Sequence, residues 1–399
     1  MYQPSKQVLE KYADVLIKFA INSGKGVKKN EVVLLQVPEC AKPLLIALRN
    51  SVLKVGALPL VQYLPDGMQK DYFGLANEKQ LKFFPEKFLK GRIEQIDHRI
   101  SILADADPKE LVGIDPKKIM MTKQIFRPYR EWEQKKENDK KFTWVLALYG
   151  TEAMAKEANL SLEEYWNQII KACYLEEENP IKRWKEVFKK NKDVMKKLNE
   201  MKIERVHVEA PNTDLYVKIG EDRVWESGSG RNIPSFEIFT SPDYREINGH
   251  IQFTEPLYRD GNLIKDVYLR FEKGKIVEAR ASSGEKFLKE MIKVKNANQI
   301  GEFSMTDGRI SKITKFMAET LFDENVGGEQ GNMHMAIGDS FQECYRYNTK
   351  KTKKKDLEKL GFNNSAIHTD IVATSRRKIT AFMRNGKQKV IYENGKFLI

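Results

Sequence analysis

The 399-residue sequence has only three cysteines and five histidines, and it has no long apolar run. Cys40, Cys173 and Cys344 are too far apart to form a zinc-binding motif or a C-x-x-C redox pair, so free thiols in a reducing compartment are the simplest interpretation. No segment approaches the roughly 18 apolar residues of a membrane span. The amphipathic, charged start also lacks the apolar core of a signal peptide. We therefore expect a cytoplasmic protein.

Repeats and low-complexity tracts are also missing, and 41% apolar with 31% charged residues is typical of a folded protein. The chain is longer than a single hydrophobic core usually supports, so two domains are expected. Cys344 follows His334 by ten residues, but no cysteine has the setting of a nucleophile. We interpret Cys344 as a buried bystander.

The formal net charge of +13 raises the question of nucleic-acid binding. Two lysine-rich stretches contribute to it. In residues 184–205 apolar side chains recur at helical spacing, which predicts a packed helix with its lysines in solvent. Residues 350–359 are predicted to form a surface loop. No zinc finger, aromatic RNA-binding strand or helix-turn-helix pattern accompanies them, so the charge favours solubility or attraction of anionic substrates.

The first part of the chain alternates strand and helix patterns. Residues 31–38 form a near-continuous apolar strand, followed by a helical stretch at 41–57 and a second strand at 58–64. Strand patterns return at 98–106 and 142–150, and a helix with Ser161 as its N-cap comes next. Continuous apolar strands are typical of buried parallel sheets. We predict an N-terminal α/β domain over residues 1–185.

From about Ile203 onward, short alternating strand patterns predominate. Pairs of residues that tolerate positive φ separate them, which is typical of hairpin turns: Lys273-Gly274, Asn385-Gly386 and Asn394-Gly395. We predict that residues 186–399 form a metal-binding catalytic domain rich in antiparallel strands. The predicted fold class is mixed α/β (α+β), with a parallel sheet in the first domain and mainly antiparallel strands in the second.

The second domain holds a candidate metal site. His368 and Asp370 form an H-x-D pair, and side chains two apart on a strand point to the same face, so both could bind one ion. His334, Glu237 and Glu302 lie in other strand-like segments. Imidazole and carboxylate together suit zinc, cobalt, manganese or iron, and a carboxylate-rich set can bridge two ions.

The other histidines have no acidic partner in such a pattern. His98, His207 and His250 are interpreted as ordinary strand or strand-edge residues. A lone histidine in a strand is more often a hydrogen-bonded structural residue than a ligand, so the metal hypothesis depends on His334 and His368 with their carboxylates.

Four segments, NIPSFEIFTSP, IGEFSM, LFDEN…HMAIG and NNSAIHTDIV, resemble in order and spacing the motifs of the thermophilic metallopeptidases typified by aminopeptidase T and aminopeptidase S. The resemblance spans essentially the whole chain. It implies peptide substrates, a homodimer and two divalent ions, zinc or cobalt, with manganese or magnesium as alternatives. The implied metal ligands are Glu237, Glu302, Glu324, His334, His368 and Asp370.

Two departures from the family pattern bear on the site. Residues between LFDEN and the histidine are more numerous here, so Glu329 competes with Glu324 for the acidic role. The family also carries a tyrosine seven residues after this histidine, a position that Phe341 occupies here. A phenyl ring cannot donate a hydrogen bond to an oxyanion, so Tyr345 or Tyr347 is expected to supply the hydroxyl, with Tyr345 preferred.

The mechanism implied is hydrolysis of an N-terminal peptide bond, with Glu302 or Glu324 as the proton acceptor. Two alternatives remain. His334, His368 and Asp370 alone would make the facial set of a mononuclear non-haem iron, ring-cleaving dioxygenase. The net charge and Phe341 are also compatible with an inactive basic binding protein.

Overall fold

A computed structural model describes residues 2–228, 230–347, 352 and 354–399. The chain divides into two compact units. The first comprises Met1–Phe188, Gly228–Ser235 and Met317–Leu321, and the second comprises Lys189–Ser227, Phe236–Phe316 and Phe322–Ile399. The domain boundary between residues 185 and 186 stays a prediction.

The strands of the described residues, numbered in chain order, are β1 (Val32–Pro38), β2 (Leu58–Leu64), β3 (His98–Leu103), β4 (Thr143–Leu148), β5 (Ile203–Ala210), β6 (Thr213–Lys218), β7 (Glu226–Ser227), β8 (Asn232–Ile233), β9 (Glu237–Thr240), β10 (Ile247–Gln252), β11 (Leu257–Arg259), β12 (Asn262–Ile264), β13 (Tyr268–Glu272), β14 (Lys275–Arg280), β15 (Ile300–Thr306), β16 (Asn332–Gly338), β17 (His368–Ala373), β18 (Lys378–Met383), β19 (Gln388–Glu393) and β20 (Lys396–Phe397).

The α-helices of the same residues are α1 (Lys6–Val15), α2 (Ile21–Gly24), α3 (Lys42–Lys54), α4 (Gln69–Leu75), α5 (Glu78–Leu81), α6 (Glu86–Gln95), α7 (Pro116–Ile125), α8 (Arg127–Asn138), α9 (Glu152–Glu157), α10 (Leu162–Ala172), α11 (Pro180–Glu200), α12 (Glu285–Ile292), α13 (Thr320–Asp323) and α14 (Lys354–Lys359). A π-helix covers Leu16–Ala20, and 3-10 helices cover Glu39–Ala41, Tyr244–Glu246 and Gln342–Cys344.

The first unit is built on a five-stranded sheet with the order β2-β1-β3-β4-β8. All four strand pairs in it are parallel. The parallel sheet predicted from the apolar runs is therefore confirmed, and each of the four predicted strands is present. β1 lies inside the sheet and buries Val33, Leu34, Leu35 and Val37, which explains its continuous apolar sequence.

Helix ends in the first unit follow the sequence signals. The Ser161 side chain accepts a hydrogen bond from the Glu164 backbone, and the Glu164 side chain accepts one from the Ser161 backbone, so a capping box starts α10. The predicted basic helix is present as α11. Its apolar positions Trp184, Val187 and Leu198 are buried.

The second unit contains two antiparallel sheets and a two-stranded ribbon. The larger sheet has the order β14-β13-β10-β6-β5-β18-β19-β20, the smaller has the order β17-β16-β15-β9-β7, and the ribbon pairs β11 with β12. Two-residue turns at Lys273-Gly274 and Asn394-Gly395 have positive φ at both positions, as their hairpins require. The predicted mixed fold with an antiparallel second part is confirmed.

One predicted loop is partly helical. Within the stretch 350–359, residues 350, 351 and 353 lie outside the described residues, whereas Lys354–Lys359 forms α14. The loop prediction is wrong for this part because Leu357 packs with Phe239, Cys344 and Phe362, and this anchoring stabilises a helical turn among the lysines. Among the described residues, no helix is both long and apolar enough to cross a membrane.

Candidate metal centre

The smaller sheet of the second unit brings the predicted ligands together on one face. β15 and β16 lie in its middle, and all seven residues of each are buried. The candidate ligands come from four strands of this sheet: Glu237 from β9, Glu302 from β15, His334 from β16, and His368 and Asp370 from β17.

The strand register explains why these side chains meet. Glu302 and Asp370 both lie opposite Ala336, so the three residues form one row across the sheet and point to the same side. His334 is two residues from Ala336 and therefore lies on that side too. The methyl group of Ala336 leaves space at the centre of the row, which the longer acidic and imidazole side chains on either side can enter.

The ligand atoms form two overlapping groups. Glu237, Glu302 and His334 make the first, and Glu302, His368 and Asp370 make the second. In the first group His334 Nε2 lies 3.2 Å from Glu237 Oε2 and 3.7 Å from Glu302 Oε1. In the second, His368 Nε2 lies 3.0 Å from Glu302 Oε2 and 3.3 Å from Asp370 Oδ1. The two groups share Glu302, with one carboxylate oxygen directed to each histidine.

Backbone carbonyls orient both imidazole rings. His334 Nδ1 lies 3.1 Å from the Glu324 carbonyl oxygen, and His368 Nδ1 lies 2.8 Å from the Asp339 carbonyl oxygen. A carbonyl oxygen only accepts, so Nδ1 carries a proton in each ring. Nε2 therefore faces the carboxylates and is the atom available to a metal, an arrangement that is usual for histidine ligands.

Burial and mutual charge shift the pKa values of the cluster. Burial raises the pKa of Glu237. Against the opposing effect of burial, Glu237 and Glu302 raise the pKa of His334 well above its ordinary value, and Asp370 and Glu302 do the same for His368. The carboxylates of Glu237, Glu302 and Asp370 surround two imidazoles. Their mutual repulsion costs free energy unless cations are present.

Asp370 provides the observation that tests the fit of a metal. Its Oδ1 atom is buried and has no hydrogen-bond partner among the described residues. Burial raises the pKa of this carboxyl, but His368, His334 and Arg259 more than offset it, and the pKa falls to about 2. A buried, ionised oxygen that faces an imidazole nitrogen but forms no hydrogen bond is suited to a cation, and a mixed imidazole and carboxylate set fits the divalent metals named above.

Glu324 and Glu329, the two candidates for the additional acidic role, lie in different surroundings. Glu324 is 6% exposed, and burial together with the charges of Asp370 and Glu237 raises its pKa well above the ordinary value. Its neighbour Asn325 donates a hydrogen bond from Nδ2 to Glu324 Oε1 at 3.4 Å. Glu329 is exposed in the loop before β16. The structure therefore brings Glu324, and not Glu329, to the cluster.

Phe341 and Tyr345, which follow β16, have different ring neighbours. The Phe341 ring centroid lies 4.7 Å from that of His368, and its backbone N–H donates to Ser241 Oγ at 2.8 Å. Tyr345 packs against Phe362 at 5.9 Å and Tyr347 at 5.5 Å between ring centroids. Both rings pack against the apolar cluster of Phe239, Cys344, Leu357 and Phe362. Of the two, Phe341 is the one with a ring contact to His368.

Cys344 is fully buried in the same apolar cluster, where burial raises the pKa of its thiol well above the ordinary value. A neutral thiol in apolar surroundings is not an activated nucleophile. This agrees with its interpretation as a buried bystander.

The remaining histidines lie in strands, as predicted, but the expectation that they lack acidic partners is wrong for two of them. His98 Nε2 is 2.8 Å from Glu31 Oε2, and His207 Nε2 is 2.7 Å from Asp214 Oδ1. His98 is also 2.9 Å from Thr143 Oγ1. His98 and Glu31 are 67 residues apart, so no local motif reveals their pairing. The partners of His207 are local: Asp214 is seven residues away on the neighbouring strand β6, and Glu209 Oε2 lies 3.8 Å from His207 Nδ1.

Two positioning contacts could not be predicted from sequence. Ser304, on β15, donates from Oγ to Glu237 Oε2 at 3.4 Å, and Asp339 supplies the carbonyl oxygen that orients His368. For the contact between Ser304 and Glu237, the only signal in the sequence was a serine within an otherwise apolar strand. A backbone carbonyl leaves no signal in the sequence.

Comparison with known proteins agrees with this site. The sequence pattern of the thermophilic metalloprotease family (M29) matches residues 5–397. The chain is 28% identical to aminopeptidase PepS of Streptococcus thermophilus, covering 99% of this chain and 98% of the relative. It is 26% identical to aminopeptidase T of Thermus thermophilus, covering 99% of both.

A solved structure, wild-type AmpT from Thermus thermophilus, superposes with a TM-score of 0.83 over 99% of this chain and 100% of that one, at 23% identity. This likeness confirms the fold of the chain. The family match favours a peptidase over the dioxygenase and the binding protein considered above. The chain belongs to the thermophilic metalloprotease family (M29).

Proposed function

We propose that this chain removes N-terminal residues from peptides with two divalent ions, bound by Glu237, Glu302, His334, His368 and Asp370. The enzyme class is metallo-aminopeptidase, because the family is one of metalloproteases and full-length relatives are aminopeptidases. The observation that carries the two-ion proposal is the shared Glu302, whose two oxygens face different histidines. A carboxylate in this position can bridge two cations.

Each ion would have its own histidine. Glu237 and His334 would serve one ion, His368 and Asp370 the other, and Glu302 both. When bound, such ions lower the pKa of a water molecule to roughly 7 and polarise the scissile carbonyl. The set of imidazoles and carboxylates favours zinc or cobalt, with manganese or magnesium as alternatives.

Glu324 is the proposed proton acceptor. Its carboxyl is buried beside the cluster but does not belong to either ligand group of the described residues. Burial raises the pKa of this carboxyl, which makes its carboxylate form a stronger base than an exposed one. Glu302 would bridge the ions. The role of Tyr345 as hydroxyl donor to the oxyanion stays a prediction from the sequence, and the ring contacts of Tyr345, to Phe362 and Tyr347, do not support it.

The proposed homodimer has a candidate interface in the first unit. β2 is the edge strand of the parallel sheet, carries no charged residue, and exposes Leu58, Leu60, Val61, Tyr63 and Leu64. Exposed apolar edge strands readily pair with another chain. Val61→Lys should yield monomers in sedimentation, whereas Val112→Lys, at a valine of equal 50% exposure, should not. A dimer that survives Val61→Lys would exclude this edge.

The proposed location is the cytoplasm, which is supported by three free cysteines. A test is reactivity of all three thiols in protein freshly isolated and denatured under a blocking reagent. Disulfide-bonded chains would contradict the proposal.

The aminopeptidase activity is tested with leucine amide and N-acetyl-leucine amide. Loss of the free amine should abolish cleavage, because an acetylated nitrogen can no longer bind as a neutral amine. Chelation should abolish cleavage of leucine amide, and divalent zinc or cobalt should restore it. Cleavage of both substrates at equal rates, or no cleavage of either with ions restored, would contradict the proposal.

A further inference from the structure

Asn332, the first residue of β16, is completely buried and lies two residues before the candidate ligand His334. Its Nδ2 atom donates to the Glu324 carbonyl oxygen at 2.9 Å and to the Val326 carbonyl oxygen at 2.6 Å. Both partners only accept, so the nitrogen of the amide and not its oxygen faces them. The amide therefore holds residues 324–326 against the start of the strand that carries His334.

The Glu324 carbonyl oxygen is also the partner of His334, whose Nδ1 atom lies 3.1 Å from it. One backbone carbonyl thus accepts from two side chains, and these two are on the same face of β16 because they are two residues apart. The contact with this carbonyl orients the His334 ring. A side chain that holds the carbonyl in place therefore also determines where His334 Nε2 points.

The segment that Asn332 holds carries the Glu324 carboxyl and is attached on its other side to β9. Asn325 Oδ1 accepts a hydrogen bond from the Phe236 backbone N–H at 2.6 Å, and Phe236 directly precedes the candidate ligand Glu237. Two asparagine side chains therefore connect this segment to two strands of the metal site, and the contact through Asn332 is the one that His334 shares.

The two contacts of Asn332 require a primary amide, which has two N–H donors on one nitrogen. Leucine has a similar volume but no donor, and an ionised aspartate only accepts. Either residue would leave the two buried carbonyl oxygens without this donor, which is unfavourable. Asn332 Oδ1 has no hydrogen-bond partner among the described residues, so the side chain acts there through its N–H groups.

We propose that Asn332 is a positioning residue that, through the Glu324 carbonyl, sets both the direction of His334 Nε2 and the place of the Glu324 carboxylate. This inference rests on the proposed function, in which His334 binds one ion and Glu324 accepts the proton. One buried amide would then couple the binding of that ion to proton transfer.

Metal binding tests the effect on His334 without turnover. In a competition titration with a chromophoric chelator, Asn332→Leu should weaken one of the two ions by about 10–100-fold, as expected for an outer partner of a ligand, and leave the other unchanged. Glu237→Gln should weaken the same ion. Asn191→Leu, in α11, is the matched control and should change neither affinity, because Asn191 is also completely buried and neither of its amide atoms has a partner among the described residues.

Kinetics test whether Asn332 acts through Glu324. With both ions saturating, Asn332→Leu should lower kcat for leucine amide by about 10–100-fold, because small displacements of a catalytic group are costly, with little change in KM. In the Glu324→Gln background the same substitution should lower kcat much less, since no base is left to misplace.

Unchanged metal affinity in Asn332→Leu, or an equal loss for both ions, would overturn the inference. An equal fall in kcat in the two backgrounds would also overturn it, because it would indicate a general structural effect. Asn332→Ala is the second variant, for which the same results are expected if Asn332→Leu does not fold. Wild-type protein that binds no ions, or does not cleave leucine amide, would instead contradict the proposed function itself.

Discussion

Replacement of Asp370 by asparagine removes one negative charge from the centre with almost no change in shape. The affected oxygen, Oδ1, lies 3.3 Å from His368 Nε2 and 3.9 Å from His334 Nε2, and has no hydrogen-bond donor among the described residues. Loss of an outer partner of a ligand typically costs about 10–100-fold in metal affinity. A direct ligand should cost at least about 100-fold, which corresponds to ~2.7 kcal/mol.

The assay is a competition titration of the weaker metal site against a chromophoric chelator, together with melting temperature with and without metal. Asp370→Asn should weaken binding, abolish turnover and reduce the metal-dependent rise in melting temperature, because binding stabilises the native state by mass action. Asp356→Asn, at a half-exposed carboxylate of α14, is the matched control. Unchanged affinity and rate in Asp370→Asn would refute its role as a ligand.

Substitutions of Glu324, Phe341 and Tyr345, and the pH dependence of stability, test the other proposed roles. Glu324→Gln should lower kcat by about 10²–10⁴ with less effect on metal affinity, as expected for a general base, while Glu329→Gln should change neither; equal effects of both would contradict the assignment. Phe341→Tyr should raise kcat by about tenfold if a hydroxyl is missing beside His368, whereas a fall in Tyr345→Phe alone would identify Tyr345 as the donor. The pKa values of the two site histidines are raised, so their stabilisation is complete below about 6.5 and is lost as pH rises through the higher native values. Unfolding in chelator should therefore become easier from about pH 6.5 upward, and a flat urea-unfolding free energy over that range would contradict the electrostatic description.

The sequence predicted what depends on local pattern. The parallel strands of the first unit follow from continuous apolar runs, and the start of α10 follows from Ser161 and Glu164, because the backbone groups involved are only three residues apart. The H-x-D pair on one face of β17 follows from strand periodicity.

Contacts between distant residues were not predictable in the same way. The pairing of His98 with Glu31 depends on which strands become neighbours, and α14 depends on the burial of Leu357 among aromatic residues. Glu324 and Glu329 likewise differ in burial, a difference that motif spacing could not reveal. The ligand set itself was carried over from a family resemblance, and its chemical role stays a prediction.

The most direct test of the two-ion centre is the number of divalent ions bound per chain, measured by elemental analysis after titration and removal of free metal. The shared carboxylate of Glu302 predicts two ions per chain in the wild type, and Glu302→Gln should lower the affinity for both. A stoichiometry of one ion per chain, with full leucine amide hydrolysis, would contradict the account.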